Sequence, residues 1–436
     1  MSDFILQAQA AAAQENWSDV VPLLQRIVLA ETAPSDQGAW LQLLDLAMQV
    51  LQKGDFQEQW EVSKVFPALG QSAIAPLIAL LEDETAELES RWFAARILGG
   101  LNHPDAIRAL VEQLQSSEDE DLNQVVAEAL ANLGTPTIAA LTELLATDET
   151  RVFAVQALTQ IRHSETITPL LSVVNDPSSA IRAIALEALS NFRDSRIPEV
   201  LVRALQDSST AVRKAAITGL SSRADLSEEW NLVALLGEAL SDVNLGVCQQ
   251  AALALGKLGQ DAAIPWLQKA LMVAPTPLPL QLDLLRALSW IGTQKALESL
   301  QTYLTQVSTH LSTPLYQEIF TLLGRWDHSD LKPIAAQILI DALETLPNVA
   351  QAATLRSTIA TALGELKQHL ALDPLIQLLA DADRGVQLHA IAALKMLDPA
   401  IVSNRLEELQ ATSPLPERLQ AGIDVALREW KTELPR

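Results

Sequence analysis

Asp176–Leu189 reads DPSSAIRAIALEAL and Asp207–Leu220 reads DSSTAVRKAAITGL. Each copy opens on an acidic residue and a small polar turn, then sets an Ile/Val-Arg pair and a run of Ala, Ile and Leu at the same offsets. Self-similarity at 31 residues marks a stacked repeat architecture. With the Asp as offset zero, the pattern asks for an apolar residue at +5, a polar one at +6, and small or aliphatic residues at +9, +10, +12 and +13. DVNLGVCQQAALAL from Asp242 and DADRGVQLHAIAAL from Asp381 fit directly. A turn of variable length admits SRWFAARIL, LNQVVAEAL, TRVFAVQAL, LQLDLLRAL, LYQEIFTLL and LRSTIATAL. The +6 residues are then Arg91, Asn123, Arg151, Arg182, Arg213, Cys248, Gln281, Tyr316, Arg356 and Gln387. They span 296 residues in nine intervals of about 33 each, which makes about ten units.

Within a unit the apolar offsets step by three and four, the period of a helix face and not of a strand. Upstream of most of these helices lies a second one with proline in its opening: Pro76, Pro169, Pro198, Pro265, Pro333 and Pro374. Proline is tolerated in a first helical turn, where its missing N–H had no partner. Each unit is therefore helix A, a short acidic turn and helix B. Such a hairpin cannot bury its own apolar stripe, so each copy walls the next and the ends need caps. The expected fold is all-α: an α-α superhelix of about ten helical hairpins with helical caps. The expected division is an N-terminal cap over 1–66, the repeat array over 67–400 and a C-terminal capping helix over 401–436. The first of these holds two related fragments, around Trp17 and Phe56, that weakly resemble tetratricopeptide hairpins.

The proline of helix A, the turn Asp and the Ile/Val-Arg pair, as in Pro169/Asp176/Ile181/Arg182 and Pro198/Asp207/Val212/Arg213, resemble HEAT repeats of the phycobilisome-lyase type. The resemblance covers roughly residues 68–397 and implies a HEAT/armadillo-like solenoid. It also implies a ladder in which the Asp and Arg of neighbouring repeats pair, interrupted here at Asn123, Cys248, Gln281, Tyr316 and Gln387. It implies protein partners such as an IscA-type iron-sulphur carrier or a phycobiliprotein. The other activity it implies is that of a bilin lyase subunit handling an open-chain tetrapyrrole. The HEAT-type deoxyhypusine hydroxylases hold two irons through His-Glu pairs, and no His-Glu dipeptide occurs in this chain.

Composition narrows the function further. With 30 basic against 54 acidic residues the net charge is -24, which repels nucleic acid and anionic membranes and attracts a basic protein partner. Cys248 is the only cysteine, so no internal disulfide or thiolate metal set can form, and a reducing, cytoplasmic setting is expected. No eighteen apolar residues run together, so no membrane span is expected. Phosphate-loop, dinucleotide, nucleophile-elbow and zinc-protease motifs are missing. The chain reads as a non-catalytic scaffold without a cofactor.

The site is then a surface. In HEAT-type superhelices helix B lines the concave side, so a ligand meets offsets +7, +8 and +11. These include Trp92, Phe93, Arg96, Glu128, Phe153, Glu187, Lys214, Asp283, Arg286 and Glu318. Trp92 and Phe93 beside Arg96 have the make-up of an interface anchor, the competing reading being that both rings pack under the N-terminal cap. The acidic turns add Glu82, Asp83, Glu84, Asp119 and Asp121 on one edge, within a stretch from Asp55 to Asp121 of 14 acidic and 4 basic residues.

Overall fold

The computed structural model describes residues 2–29, 37–273, 276–306, 312–412 and 415–433, and every regular element among them is helical. The chain packs as two compact units, Met1–Ile197 and Pro198–Arg436. The first holds α1 (Ser2–Ala12), α2 (Trp17–Leu29), α3 (Gln37–Lys53), α4 (Phe56–Ser63), α5 (Phe66–Leu69), α6 (Ile74–Glu82) and α7 (Leu88–Leu98). It continues through α8 (Pro104–Ser116), α9 (Glu120–Leu133), α10 (Ile138–Leu144), α11 (Asp148–Gln160), α12 (Ile167–Ser172) and α13 (Ser179–Leu189). From the junction onward come α14 (Ile197–Ala204), α15 (Thr210–Ser221), α16 (Leu232–Ala239), α17 (Leu245–Leu258), α18 (Ile264–Met272), α19 (Leu278–Ile291), α20 (Gln294–Gln306) and α21 (Thr313–Gly324). The second unit closes with α22 (Lys332–Thr345), α23 (Pro347–Gln351), α24 (Ala353–Leu366), α25 (Leu372–Leu378), α26 (Arg384–Met396), α27 (Pro399–Thr412) and α28 (Glu417–Glu433).

Each +6 residue falls in a B helix: α7, α9, α11, α13, α15, α17, α19, α21, α24 and α26. The prolines at 76, 169, 198, 265, 333 and 374 fall in the first turns of A helices. In the first unit α7 packs on α9, α9 on α11 and α11 on α13; in the second the B helices run α15, α17, α19, α21, α24 and α26 in the same way. The leucine at +13 is 0% exposed in every one of these helices: Leu98, Leu130, Leu158, Leu189, Leu220, Leu255, Leu288, Leu323, Leu363 and Leu394. That uniform burial is the seam which makes one hairpin the wall of the next.

A second recurring feature sets how closely the B helices approach. A Cβ added to Gly99 would lie 2.6 Å from the Ala129 Cα, and the same holds for Gly256 against Ala287 (2.8 Å), Gly324 against Ala362 (2.7 Å) and Gly364 against Ala393 (2.8 Å). Because the clash is with backbone, the helices must separate to admit a methyl group. Gly256→Ala is therefore predicted to destabilise the second unit by about 1–2 kcal/mol net, despite the ~1 kcal/mol it gains in helix propensity. Hydrogen exchange resolved to the amides of α17 and α19 checks this, and slower exchange than in the parent would show that the seam yields.

Candidate protein-binding surface

The repeated Asp and Arg build the joints that set this surface. The turn Asp first shapes its own turn, its Oδ1 accepting from the backbone N–H two residues on: Ser178 for Asp176 (2.8 Å), Ser209 for Asp207 (2.7 Å), Asn244 for Asp242 (2.8 Å) and Asp383 for Asp381 (2.8 Å). This Asx turn is what a short acidic residue does best before a helix. The Arg at +6 reaches back to its own turn, Arg213 Nη1 donating to the carbonyls of Asp207 (2.8 Å) and Ser208 (3.1 Å). The rest of its fork pairs with the next unit's Asp: Arg213 Nε and Nη2 with both Asp242 oxygens (2.7 and 2.8 Å), Arg356 with Asp381 (2.6 and 3.1 Å), and Arg151 with Asp176 (3.3 Å). Hydrogen bonds from Arg213 hold the Asp242 carboxyl below its ordinary range.

At three of the positions where Arg is replaced, the intra-turn bond survives. Asn123 donates to the Ser117 carbonyl (3.0 Å), Gln387 to that of Asp381 (2.7 Å) and the Cys248 thiol to that of Asp242 (3.1 Å). Burial pushes the Cys248 thiol up, so it is a structural donor and not a reactive thiolate. Tyr316 keeps an inter-unit link through Asn348, whose Nδ2 donates to its hydroxyl (3.2 Å).

Two residues expected on the partner-facing surface lie inside the fold. Phe93 is only 4% exposed, its ring 5.5 Å from that of Phe56 on α4, so it belongs to the packing under the N-terminal helices. Asp283 is 8% exposed and accepts from Gln249 Nε2 on α17 (2.6 Å). It also pairs with Arg286 (3.2 Å), which bonds Glu318 of α21 (2.7 Å). Asp283, Arg286 and Glu318 therefore link α17, α19 and α21 across the interval that follows Cys248. A spacing of one repeat aligns opposite charges on adjacent helices, and over this interval a charged link of other residue types takes the place of the rung.

The remaining expected residues reach solvent to different degrees. Trp92 is half-buried, with its indole N–H buried and without an acceptor, and Phe153 is half-buried too. The Arg96 guanidinium lies 4.1 Å over the Trp60 ring of α4. Glu128, Glu187 and Lys214 are exposed. On the acidic turns Glu82, Glu84 and Asp121 are exposed, while Asp83 and Asp119 also shape backbone. Asp83 accepts from the Thr85 hydroxyl (2.6 Å) and N–H (2.9 Å), which holds its carboxyl below the ordinary range, and Asp119 caps α9 through the Leu122 N–H (2.8 Å). The balance of charge is uneven along the chain: residues 1–150 hold 24 acidic and 6 basic residues, or -18 of the total -24.

The offset rule also reaches residues beyond those expected from the sequence. In the second unit a groove of about 510 Å³ is lined by Gln317 and Thr321 on α21, Ser357, Thr358 and Thr361 on α24, and His389 on α26. All six occupy +7, +8 or +11. Thr321, Thr358 and Thr361 donate to carbonyls four residues back (2.7, 2.9 and 3.0 Å), which commits their protons and leaves oxygen lone pairs as acceptors. Applying the same offsets to the last three units would have found them.

Helical hairpins with Asx turns, linked by Asp–Arg rungs, define the fold class of this protein, a HEAT/armadillo-like α-α solenoid. Residues 74–159, 148–221 and 197–278 match the family model for HEAT repeats. No curated protein matches the sequence. Among solved structures the chain is similar to importin beta in an ammonium sulfate condition, with 14% identity and a TM-score of 0.54 over 96% of this chain and 63% of that one. It is also similar to a chain from a structure of Kap95p bound to RanGDP (12%, TM-score 0.55, 99% of this chain and 65% of that one). A chain of a homology model of the full-length AP-3 complex in an intermediate open conformation gives 12% identity and a TM-score of 0.57 (99% and 87%). The chain thus spans less than two thirds of the first two, and at these identities the likeness is one of fold.

Proposed function

We propose that this protein is a non-catalytic scaffold that holds a basic protein partner, with the acidic turns of the first unit as its steering edge. The observation that carries the reading is the concentration of charge in residues 1–150, with Glu82, Glu84 and Asp121 exposed at and beside the turns between A and B helices. Repeat solenoids offer extended surfaces for such partners, and clustered charge accelerates encounter more than it tightens the final complex. Trp92, Arg96, Glu128, Phe153, Glu187 and Lys214 belong to the same proposal as contacts along the B helices. The resemblance in repeat type makes an IscA-type iron-sulphur carrier the first partner to test and a phycobiliprotein the second. With Cys248 buried as a turn donor, a cluster carried in such a complex is the partner's own.

The test is stopped-flow association of the full chain with the apo carrier and with a phycobiliprotein across a salt series. Glu82→Lys/Glu84→Lys/Asp121→Lys is predicted to slow association about tenfold at low ionic strength and to leave the thermal midpoint nearly unchanged. Association that ignores both salt and charge reversal would remove the steering edge from the account. A red-absorbing bilin retained on the purified chain would move the reading to a bilin lyase subunit.

A further inference from the structure

In the first unit a groove of about 480 Å³ opens between α3 and α6. On the other side of the same hairpins α4 closes on α7 through Phe56–Phe93 and Trp60–Arg96. The groove has an apolar base and mixed walls, Gln49 and Gln52 standing among the apolar side chains. Leu44 and Leu80 are 6% and 3% exposed at its base, Met48 is half-buried, and Leu41 stands 58% exposed along one wall. The lining carries two carboxylates, Asp45 from α3 and Asp83 from the end of α6, and among the described residues no cationic group. Asp45 bonds the neighbouring Gln49 amide (2.8 Å), and Glu82 and Glu84 flank Asp83 in solvent.

We infer that this groove takes the apolar face of a basic amphipathic helix from the partner protein. The inference rests on the scaffold reading above and adds to it the place and the kind of segment bound. Two helix walls with an apolar floor fit a third helix, read by residues at i, i+3 or i+4, and i+7. Lining residues from Leu41 to Gln52 run about 16 Å along α3, three helical turns. Met48 supplies an adaptable contact. Lys or Arg side chains on the flanks of the bound helix reach Asp45 on one rim and Asp83 on the other, their stems lying along Leu41 and Met48. An acidic helix would meet these carboxylates and the -18 balance of residues 1–150, which selects the sign of the partner.

The experiment uses the full chain and a labelled peptide of about 18 residues, long enough to hold a helix, with Leu at helical spacing and Lys elsewhere. A second peptide of the same composition has its leucines scattered around the helix. The ordered peptide is expected to bind at least tenfold more tightly than the scattered one. Leu41→Glu/Met48→Glu is expected to abolish that difference, and Asp45→Lys to weaken the ordered peptide several-fold. Because Leu41 and Met48 lie outside the fully buried core, an unchanged circular dichroism melt confirms that the variants fold. Equal binding of both peptides, lost on Glu82→Lys/Glu84→Lys, overturns the groove and leaves the acidic edge standing. Binding of neither peptide overturns the groove as well, while salt-dependent association with the carrier protein would still support the scaffold.

Discussion

Phe93→Ala should destabilise the first unit by about 3–5 kcal/mol, the cost of emptying a buried aromatic site that cannot collapse. The ring is 4% exposed and meets Phe56 where α4 closes on α7, with Arg96 on Trp60 beside it. Both helices are tied elsewhere, α4 to α2 and α3 and α7 to α6 and α9, so the gap left by the ring persists. In a long repeat array one global unfolding free energy is poorly defined. Hydrogen exchange resolved to the amides of α4 and α7 is the better measure, and faster exchange there is the expected result. Affinity per folded molecule should stay at the parental level. A variant with parental exchange rates and lost partner binding would return Phe93 to the interface.

Arg213→Ala should cost about 3 kcal/mol in the second unit, because the variant leaves a largely buried carboxylate without its partner. The Arg213 and Asp242 side chains are 10% and 13% exposed, and the guanidinium also serves the Asp207 and Ser208 carbonyls. Arg213→Lys should recover little, since one ammonium cannot reproduce two parallel bonds to a carboxylate and two more to the turn. The same pair predicts an acid response. Bonds from Arg213 keep the folded-state pKa of Asp242 below its ordinary value near 4. At Asp381 burial pushes the other way, and hydrogen bonds from Arg356 and the turn backbone together outweigh it. A depressed carboxyl stabilises fully above the unfolded pKa, so this contribution begins to fall near pH 4 and is lost as pH drops through the folded value. Stability measured from pH 6 downward should decline there in the parent and less steeply in Arg213→Ala. Identical slopes would show that the rung carries no proton linkage.

Both predictions concern residues whose type was legible in the sequence and whose surroundings were not. The resemblance to HEAT repeats implied a ladder of Asp and Arg, and the observed rungs at Arg151–Asp176, Arg213–Asp242 and Arg356–Asp381 follow that pattern. Carried to the last three units, the same offset rule would have reached the groove-lining positions of the second unit. It misplaced Phe93 and Asp283, because an offset names a helix face but not the neighbour standing over it. Phe93 is covered from α4, some 37 residues upstream, and Asp283 is met by Gln249, 34 residues upstream.

Helix periodicity, first-turn proline, Asx turns and the fully buried +13 leucine are properties of one hairpin and its nearest copy. They follow from local geometry and from the need to cover one apolar stripe, so residue order alone determined the all-helical repeat fold. Tertiary structure alone decided which charges neutralise each other and which ring is core. It also decided that a groove opens between α3 and α6 while α4 and α7 close. A groove is a space between helices, bounded by side chains about thirty residues apart, and only the packing of those helices makes it.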